Sequence, residues 1–209
     1  MKRKVDLLDV TLRDGGYTIG NQFSLLDNII ISAGLERAGV KYIEIGHGLG
    51  LGSSRKDNDY QAHSDIDYMR AVSETLIDSK FGFFFIPGIG NKDDLRQLKD
   101  NGGSFFRIGT GIENFDSAID FIKLANKLKL KYWINLMKSY VYSYKEFAEF
   151  AKIAFLEGAE GIYLVDSAGG MLPKEVGNYM LEAKELLYKE NYNNFSLGFH
   201  GHENLSLGV

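Results

Sequence analysis

Residues able to do metal chemistry sit in two short stretches near opposite ends of the 209-residue chain. In the first, Arg13 and Asp14 follow the apolar run 5–12 and precede Gly15 and Gly16. An arginine and an aspartate at the end of a buried strand are costly to desolvate unless they pair or bind something. An Arg13–Asp14 ion pair is one interpretation of this stretch, and a ligand-binding site is the other.

The second stretch places His200 and His202 directly after the β-prone run 195–199. Side chains two residues apart in a strand point the same way, so both imidazoles can face one point. Two histidines with one carboxylate are a common ligand set for a catalytic divalent metal. His-x-His alone is a weak signal, but together with Arg13 and Asp14 at another strand end it predicts a metal site.

The composition narrows the class of protein. A hydrophobic content of 44% supports one sizeable core, and the net charge of −4 gives no reason to expect a nucleic-acid partner. Cysteine is absent, which excludes disulfides and thiolate ligands and fits a cytoplasmic protein. Residues 1–4 are basic but precede no signal-type apolar segment, and we expect no membrane-spanning segment.

Periodicity and capping signals predict strands that alternate with helices. The expected strands are 5–12, 40–46, 81–87, 104–109, 132–137, 161–165 and 195–199, and the expected helices are 24–38, 64–79, 91–102, 115–130, 143–158 and 173–189. Polar, glycine-rich residues follow most of these strands, and a barrel gathers such strand ends around one pocket. We therefore favour an α/β fold of the TIM (β/α)8 type over an open doubly wound sheet. Seven strands are visible, so we expect a single domain over 1–209 that lacks its last βα unit.

The motifs resemble those of a known superfamily. Asp9-x-Thr11-Leu12-Arg13-Asp14-Gly15, together with His200-x-His202, resembles the signature of the DRE-TIM metallolyases, which are similar to HMG-CoA lyase. Within that superfamily, segments 46–54, 165–169 and 200–209 are most similar to the 4-hydroxy-2-oxovalerate aldolases.

The resemblance implies roles for individual residues. It implies that Asp14, His200 and His202 bind a divalent metal, Mn²⁺ or Mg²⁺, that Arg13 steadies the enolate oxygen, and that Ser167 binds the substrate carboxylate. The aldolases carry a catalytic histidine where this chain has Tyr17. We expect Tyr17 or a metal-bound water to move the proton instead, although a phenol is a weaker base than an imidazole at neutral pH. His47 either faces the pocket as a further catalytic residue or is bonded to the backbone of its loop.

The predicted function is that of a metal-dependent carbon–carbon lyase or aldolase acting on a 2-oxo or hydroxy-oxo acid through a metal-stabilised enolate. One alternative is a Claisen-type synthase that condenses an acyl-CoA, and another is a barrel that binds metal and ligand without turnover. The expected partner is a small 2-oxo acid. The resemblance also implies a C-terminal extension that docks a dehydrogenase in the aldolases, and we expect no such docking by this chain. Because the missing unit would leave two strand edges unpaired, a homodimer is a further expectation.

Overall fold

The structure is a computed structural model that describes residues 5–55, 60–192 and 194–205. Its contacts group the chain into two compact units. Unit 1 comprises Met1–Arg107 with Lys127–Leu130, and unit 2 comprises Ile108–Asn126 with Lys131–Val209. Each unit has its own apolar interior, represented by the fully buried Ile43 and Phe83 in unit 1 and by Leu136 and Leu164 in unit 2.

Strands and helices alternate along the described residues. The strands are β1 (Leu8–Asp9), β2 (Tyr42–Ile45), β3 (Lys80–Phe85), β4 (Phe105–Thr110), β5 (Lys131–Leu136), β6 (Gly161–Asp166) and β7 (Ser196–Gly201). The helices are α1 (Leu25–Arg37), α2 (Asp65–Ser73), α3 (Lys92–Asp100), α4 (Asp116–Leu128), α5 (Tyr144–Leu156) and α6 (Pro173–Lys189). None of these helices has the length and apolar character needed to cross a bilayer.

The sheet keeps the order of the chain, from β1 through to β7. In unit 1, β2 pairs in parallel with both β1 and β3, and in unit 2, β6 pairs in parallel with both β5 and β7. Sequential parallel strands joined by helices are the arrangement of a β/α barrel. The predicted fold class is therefore confirmed for the seven strands, whereas the extent of the domain stays a prediction.

Side-chain caps start most of the helices, as the sequence indicates. Ser24, Ser64, Asn91 and Ser143 each accept a hydrogen bond from the backbone amide three residues on, and the carboxylate at that position accepts from the cap amide. Such a cap stabilises a helix by about 1 kcal/mol. Pro173 occupies the first turn of α6, where its missing N–H costs no hydrogen bond.

Two predicted elements are shorter than expected. The strand predicted over 5–12 is reduced to Leu8–Asp9, because the chain turns back on itself from Val10. The helix predicted to reach residue 79 ends at Ser73, and Glu36 of α1 accepts hydrogen bonds from the backbone amides of Ile77, Asp78 and Ser79. The basic residues 1–4 and the last four residues of the segment 200–209 lie outside the described residues.

Candidate functional site

The end of β1 is shaped by a tight turn. The carbonyl of Val10 accepts hydrogen bonds from the backbone amides of Arg13, Asp14 and Gly15, and a short 3-10 segment follows over Asp14–Ile19. This turn ends the strand and fixes the backbone from which the Arg13 and Asp14 side chains leave. The predicted strand end is therefore present, several residues earlier than the apolar run suggests.

Arg13 is buried and its guanidinium is held from three directions. Nε donates to Oε2 of Glu44 at 2.7 Å, and Nη1 donates to Oδ1 of Asp14 at 2.8 Å and to the carbonyl of Gly48 at 3.3 Å. The guanidinium carbon also lies 4.7 Å from the centre of the Phe84 ring, within cation–π range. The Arg13–Asp14 ion pair, one of the two interpretations of the sequence, exists, but it is one part of a larger buried network.

The network continues to Arg107, which the sequence reasoning missed. Arg107 lies on β4 and donates from Nε to Oε1 of Glu44 at 2.8 Å and from Nη2 to Oε2 at 2.6 Å. Glu44 and Arg107 are both completely buried. An arginine inside the apolar strand Phe105–Thr110 was the available signal, since a buried charge must be paired.

Glu44 stays ionised in this setting. Burial raises the pKa of the Glu44 carboxyl, but the charges and hydrogen bonds of Arg107 and Arg13 outweigh burial and lower the pKa to about 2. Glu44 therefore pairs with two guanidinium groups, those of Arg107 and Arg13, and it holds the arginine at the end of β1 in place.

Tyr17 lies against the glycine-rich loop that follows β2. A methyl group added at Gly48 would lie 2.6 Å from Cε2 of the Tyr17 ring, so the ring packs directly on the Gly48 backbone. The Tyr17 residue remains 52% exposed. Gly48 therefore contacts both Tyr17 and Arg13, two of the residues predicted to act on the substrate.

His47 begins this loop and is completely buried. Its Nδ1 accepts the Leu49 backbone N–H at 3.1 Å, so Nε2 carries the proton when the ring is neutral. The backbone-bonded interpretation of His47 describes this contact. The catalytic role predicted for His47 stays a prediction.

The amides of the loop are used within the protein. Those of Gly48, Leu49 and Gly52 donate to Asn21 Oδ1, His47 Nδ1 and Asp65 Oδ2 respectively. Those of Gly50, Leu51 and Ser53 donate to backbone carbonyls. A phosphate cradle needs backbone amides that point at the ligand, so this loop is a packed support rather than an anion site.

Unit 2 carries the two predicted histidine ligands. His200 lies on β7 opposite Val165 of β6, and His202 follows the end of β7 directly. The centres of the two imidazoles are 5.2 Å apart with an interplanar angle of 76°. His200 is partly buried and His202 is exposed. The two rings therefore lie side by side, as the spacing of two residues predicts.

Ser167 lies in the same unit, directly after β6. Its Oγ accepts the backbone N–H of Lys138 at 3.0 Å, and Lys138 has a left-handed backbone with φ of 54°. In the neighbouring residue Asp166, Oδ2 accepts the Met171 backbone N–H at 2.7 Å and so closes the loop 167–171. Because Ser167 Oγ already accepts a hydrogen bond, its hydroxyl proton can be donated outward.

Comparison with known proteins shows a family match for the N-terminal part of the chain and similar relatives along its full length. Residues 4–99 match the HMGL-like family model. The chain is 37% identical over 208 residues to the 4-hydroxy-2-oxovalerate aldolase of Alkalilimnicola ehrlichii, and 35% identical over 209 residues to that of Carboxydothermus hydrogenoformans. Each match covers the whole chain and 60% of the relative, so the chain spans about 60% of the length of these relatives.

Solved structures agree on the fold. The N-terminal domain of a candidate aldolase from Bacteroides vulgatus is similar with a TM-score of 0.74 and 24% identity, over 98% of this chain and 67% of that one. The carboxyl transferase domain of Rhizobium etli pyruvate carboxylase is similar with a TM-score of 0.79 and 16% identity, over 99% of this chain and 37% of that one. The chain is therefore similar over its full length to 4-hydroxy-2-oxovalerate aldolases, and its residues 4–99 match the HMGL-like family.

Proposed function

We propose that this chain is the barrel of a divalent-metal-dependent carbon–carbon lyase that splits a hydroxy-oxo acid into a 2-oxo acid and an aldehyde through an enolate. The observation that carries the proposal is the buried Arg13, which forms ion pairs with Glu44 of β2 and with Asp14 after the end of β1. The names of the relatives, 4-hydroxy-2-oxovalerate aldolase, support the class of substrate.

The donor set fits the metal that the family implies. We assign its ligands, as the sequence resemblance implies, to Asp14 of unit 1 and to His200 and His202 of unit 2. The chain has no cysteine, and a carboxylate with two imidazoles suits Mn²⁺ or Mg²⁺ better than a thiolate-seeking metal. When bound, the ion would supply Lewis-acid polarisation of the substrate oxygens.

Arg13 supplies fixed positive charge. Cleavage of the carbon–carbon bond leaves an electron pair on the 2-oxo acid fragment, and the negative charge resides largely on the enolate oxygen. A guanidinium already fixed by Glu44, Asp14 and the Gly48 carbonyl can stabilise that charge without reorganising. Ser167, whose Oγ accepts from the Lys138 backbone, donates a hydrogen bond from its hydroxyl to the substrate carboxylate.

The proton steps fall to Tyr17. In the cleavage direction a base takes the hydroxyl proton of the substrate, the adjacent carbon–carbon bond breaks, and the enolate carbon then receives a proton. The Tyr17 ring packs on Gly48, whose carbonyl accepts a hydrogen bond from Arg13. Tyr17 is also half exposed, so its phenol can exchange protons with water. His47 is the second candidate for this transfer, through Nε2, since Nδ1 is engaged by Leu49.

Metal analysis of the chain purified without chelator tests the ligand set. We expect one divalent ion per chain, lost in Asp14→Ala and His202→Ala and retained in the matched control His63→Ala, whose ring packs on Tyr68. A parent chain without bound metal would refute the proposal.

Exchange of pyruvate methyl protons into heavy water tests the enolate chemistry. We expect exchange above a control with the metal alone, and loss of exchange in Arg13→Lys. Metal binding without exchange would indicate a silent barrel, and thiol release from acetyl-CoA with a 2-oxo acid would indicate the synthase. We further propose that the protein is cytoplasmic and that it forms a homodimer. Light scattering of the purified chain measures its mass and so tests the homodimer.

A further inference from the structure

Gly52 is the point at which the glycine-rich loop is fastened to the rest of unit 1. Its backbone N–H donates to Oδ2 of Asp65 at 2.8 Å. Its φ is +82°, and a methyl group there would collide with Nη2 of Arg55 and lie 2.8 Å from Oδ2 of Asp94. Gly52 is therefore fixed on one side by a hydrogen bond and on the other by close packing on the Arg55–Asp94 ion pair.

Asp65 connects that fastening point to α2. It is the first residue of α2, and its Oδ1 accepts Nε2–H of Gln61 at 2.6 Å while Oδ2 holds Gly52. Both carboxylate oxygens are thus committed to the loop or its flank. Oε1 of Gln61 is buried without a hydrogen-bond partner, so a rotated amide could instead present that oxygen to a donor at position 65.

Asp65 is an unfavourable place for a charge. Burial raises the pKa of its carboxyl; the hydrogen bonds from Gln61 and Gly52 and the Arg55 charge act in the opposite direction, and Asp94 adds to the rise. A carboxyl whose pKa is raised on folding opposes folding once the pH is high enough to ionise it. The charge of Asp65 therefore does not contribute to the stability of the whole fold. What it does provide is a hydrogen-bond acceptor for Gly52 of the glycine-rich loop.

The glycine-rich loop connects Gly52 to Gly48, which contacts the candidate catalytic residues. Four residues before Gly52, the carbonyl of Gly48 accepts the Nη1–H of Arg13, and the Gly48 backbone supports the Tyr17 ring. The intervening residues are buried or partly buried, and their amides are bonded within the protein. Because these residues are packed and hydrogen-bonded, a displacement of the Gly52 backbone should also displace the Gly48 backbone.

We propose that Asp65 is a positioning residue, which fixes the glycine-rich loop through Gly52 and thereby sets Gly48 against Arg13 and Tyr17. The catalytic part of this inference rests on the proposed function, since Arg13 and Tyr17 must act on the substrate. The mechanical part, that Asp65 orders the loop, stands without it.

Hydrogen–deuterium exchange of the full chain separates these two parts. In Asp65→Ala, we expect the amides of residues 49–53 to exchange at least about tenfold faster, because two hydrogen bonds to a charged acceptor are lost. The matched control is Asp67→Ala on the same helix, which removes the carboxylate that accepts from the Ser64 backbone N–H and hydroxyl and leaves Gly52 bonded. In Asp67→Ala, faster exchange should be confined to the first turn of α2.

Pyruvate exchange provides the catalytic readout. Asp65→Ala should lower the saturated rate about tenfold or more, because small displacements of catalytic groups are costly, whereas Asp67→Ala should stay within about twofold. Asp65→Asn should restore both readouts, since its oxygen can accept from Gly52 and its amide can donate to the turned Gln61. If Asp65→Ala does not fold, Gln61→Ala loses one of the two bonds and should show the same effects at smaller size.

Three results would overturn the inference: unchanged loop exchange in Asp65→Ala, equal loop exchange in Asp67→Ala, or no restoration by Asp65→Asn. A parent chain that exchanges no pyruvate protons would instead refute the proposed function, and the loop exchange would still decide the role of Asp65.

Discussion

Glu44 accepts the Nε–H of Arg13 at 2.7 Å, and this bond ties the middle of β2 to the turn after β1. The same carboxylate accepts two hydrogen bonds from Arg107, so Glu44 balances two buried guanidinium groups. Removing one partner from such a network leaves an uncompensated buried charge, which costs far more than an exposed ion pair is worth. The orientation of Arg13 therefore depends on Glu44.

We expect Glu44→Gln to destabilise the chain by roughly 3 kcal/mol at neutral pH, from a carboxyl pKa that falls from 4.5 unfolded to about 2 folded. A depressed carboxyl pKa contributes stability that is present above the unfolded pKa and lost as the pH falls towards the folded one. The parent should thus lose this increment between about pH 4.5 and 2, and the variant should not. Urea unfolding across this range measures the difference.

Glu146→Gln is the matched control, because Glu146 is an exposed carboxylate that accepts a hydrogen bond from the backbone N–H of Ser143, the cap of α5. Its effect on the free energy of unfolding should be much smaller. If the two glutamine variants lose equal stability at neutral pH, the buried network is not what holds Arg13.

Local signals allowed most of the fold to be predicted from sequence. Ser24, Ser64 and Ser143 cap helices where the capping pattern places them, because each signal lies within four residues of the structure it forms. The length of β1 could not be predicted in this way. Its run of apolar residues extends to Leu12, but the turn at Val10 takes the place of further pairing with β2.

Side-chain contacts near the candidate site were predicted where the residues are neighbours in sequence and were missed where they are not. His200 and His202 were paired from their spacing alone. Arg107 is 63 residues from Glu44, and no local pattern indicates that their side chains meet. The anchoring of Gly52 by Asp65 was likewise missed, because a glycine-rich loop gives no sign of where its amides will find acceptors.

Ser167→Ala tests the substrate-binding role of the hydroxyl. The variant removes the hydroxyl that we expect to donate a hydrogen bond to the substrate carboxylate, so the KM for pyruvate in the exchange reaction should rise about tenfold. The rate at saturation should change less, because ground-state and transition-state binding are both reduced. Ser167→Thr, which keeps the hydroxyl, is the control. An unchanged KM in the alanine variant would exclude the assigned contact.

Tyr17→Phe tests the proton-transfer role of the phenol. The ring can keep its packing on Gly48 while the hydroxyl is lost, so the fold should be retained. Removal of a general acid or base typically lowers a rate about 10²- to 10⁴-fold, and we expect a loss of pyruvate exchange in this range. Tyr17→His should be active at lower pH than the parent, because an imidazole titrates near neutral pH and a phenol near 10. A phenylalanine variant that is as fast as the parent would assign the proton step to another group.

Gly48→Ala separates the position of the Tyr17 ring from its chemistry. The added methyl group would lie 2.6 Å from Cε2 of the ring, and Tyr17 is exposed enough to swing away from it. We therefore expect the free energy of unfolding to change little. Pyruvate exchange should fall, because the Tyr17 phenol is displaced from its position against the backbone of residue 48, which contacts Arg13. Gly177→Ala, where nothing lies within 4 Å of the added methyl, is the control and should stabilise α6 by up to about 1 kcal/mol.

In the double variant of Gly48→Ala with Tyr17→Phe, the loss of exchange should be no larger than in Tyr17→Phe alone, because both changes remove the same function. Additive losses would show that Gly48 acts on catalysis by a route that does not involve the Tyr17 ring.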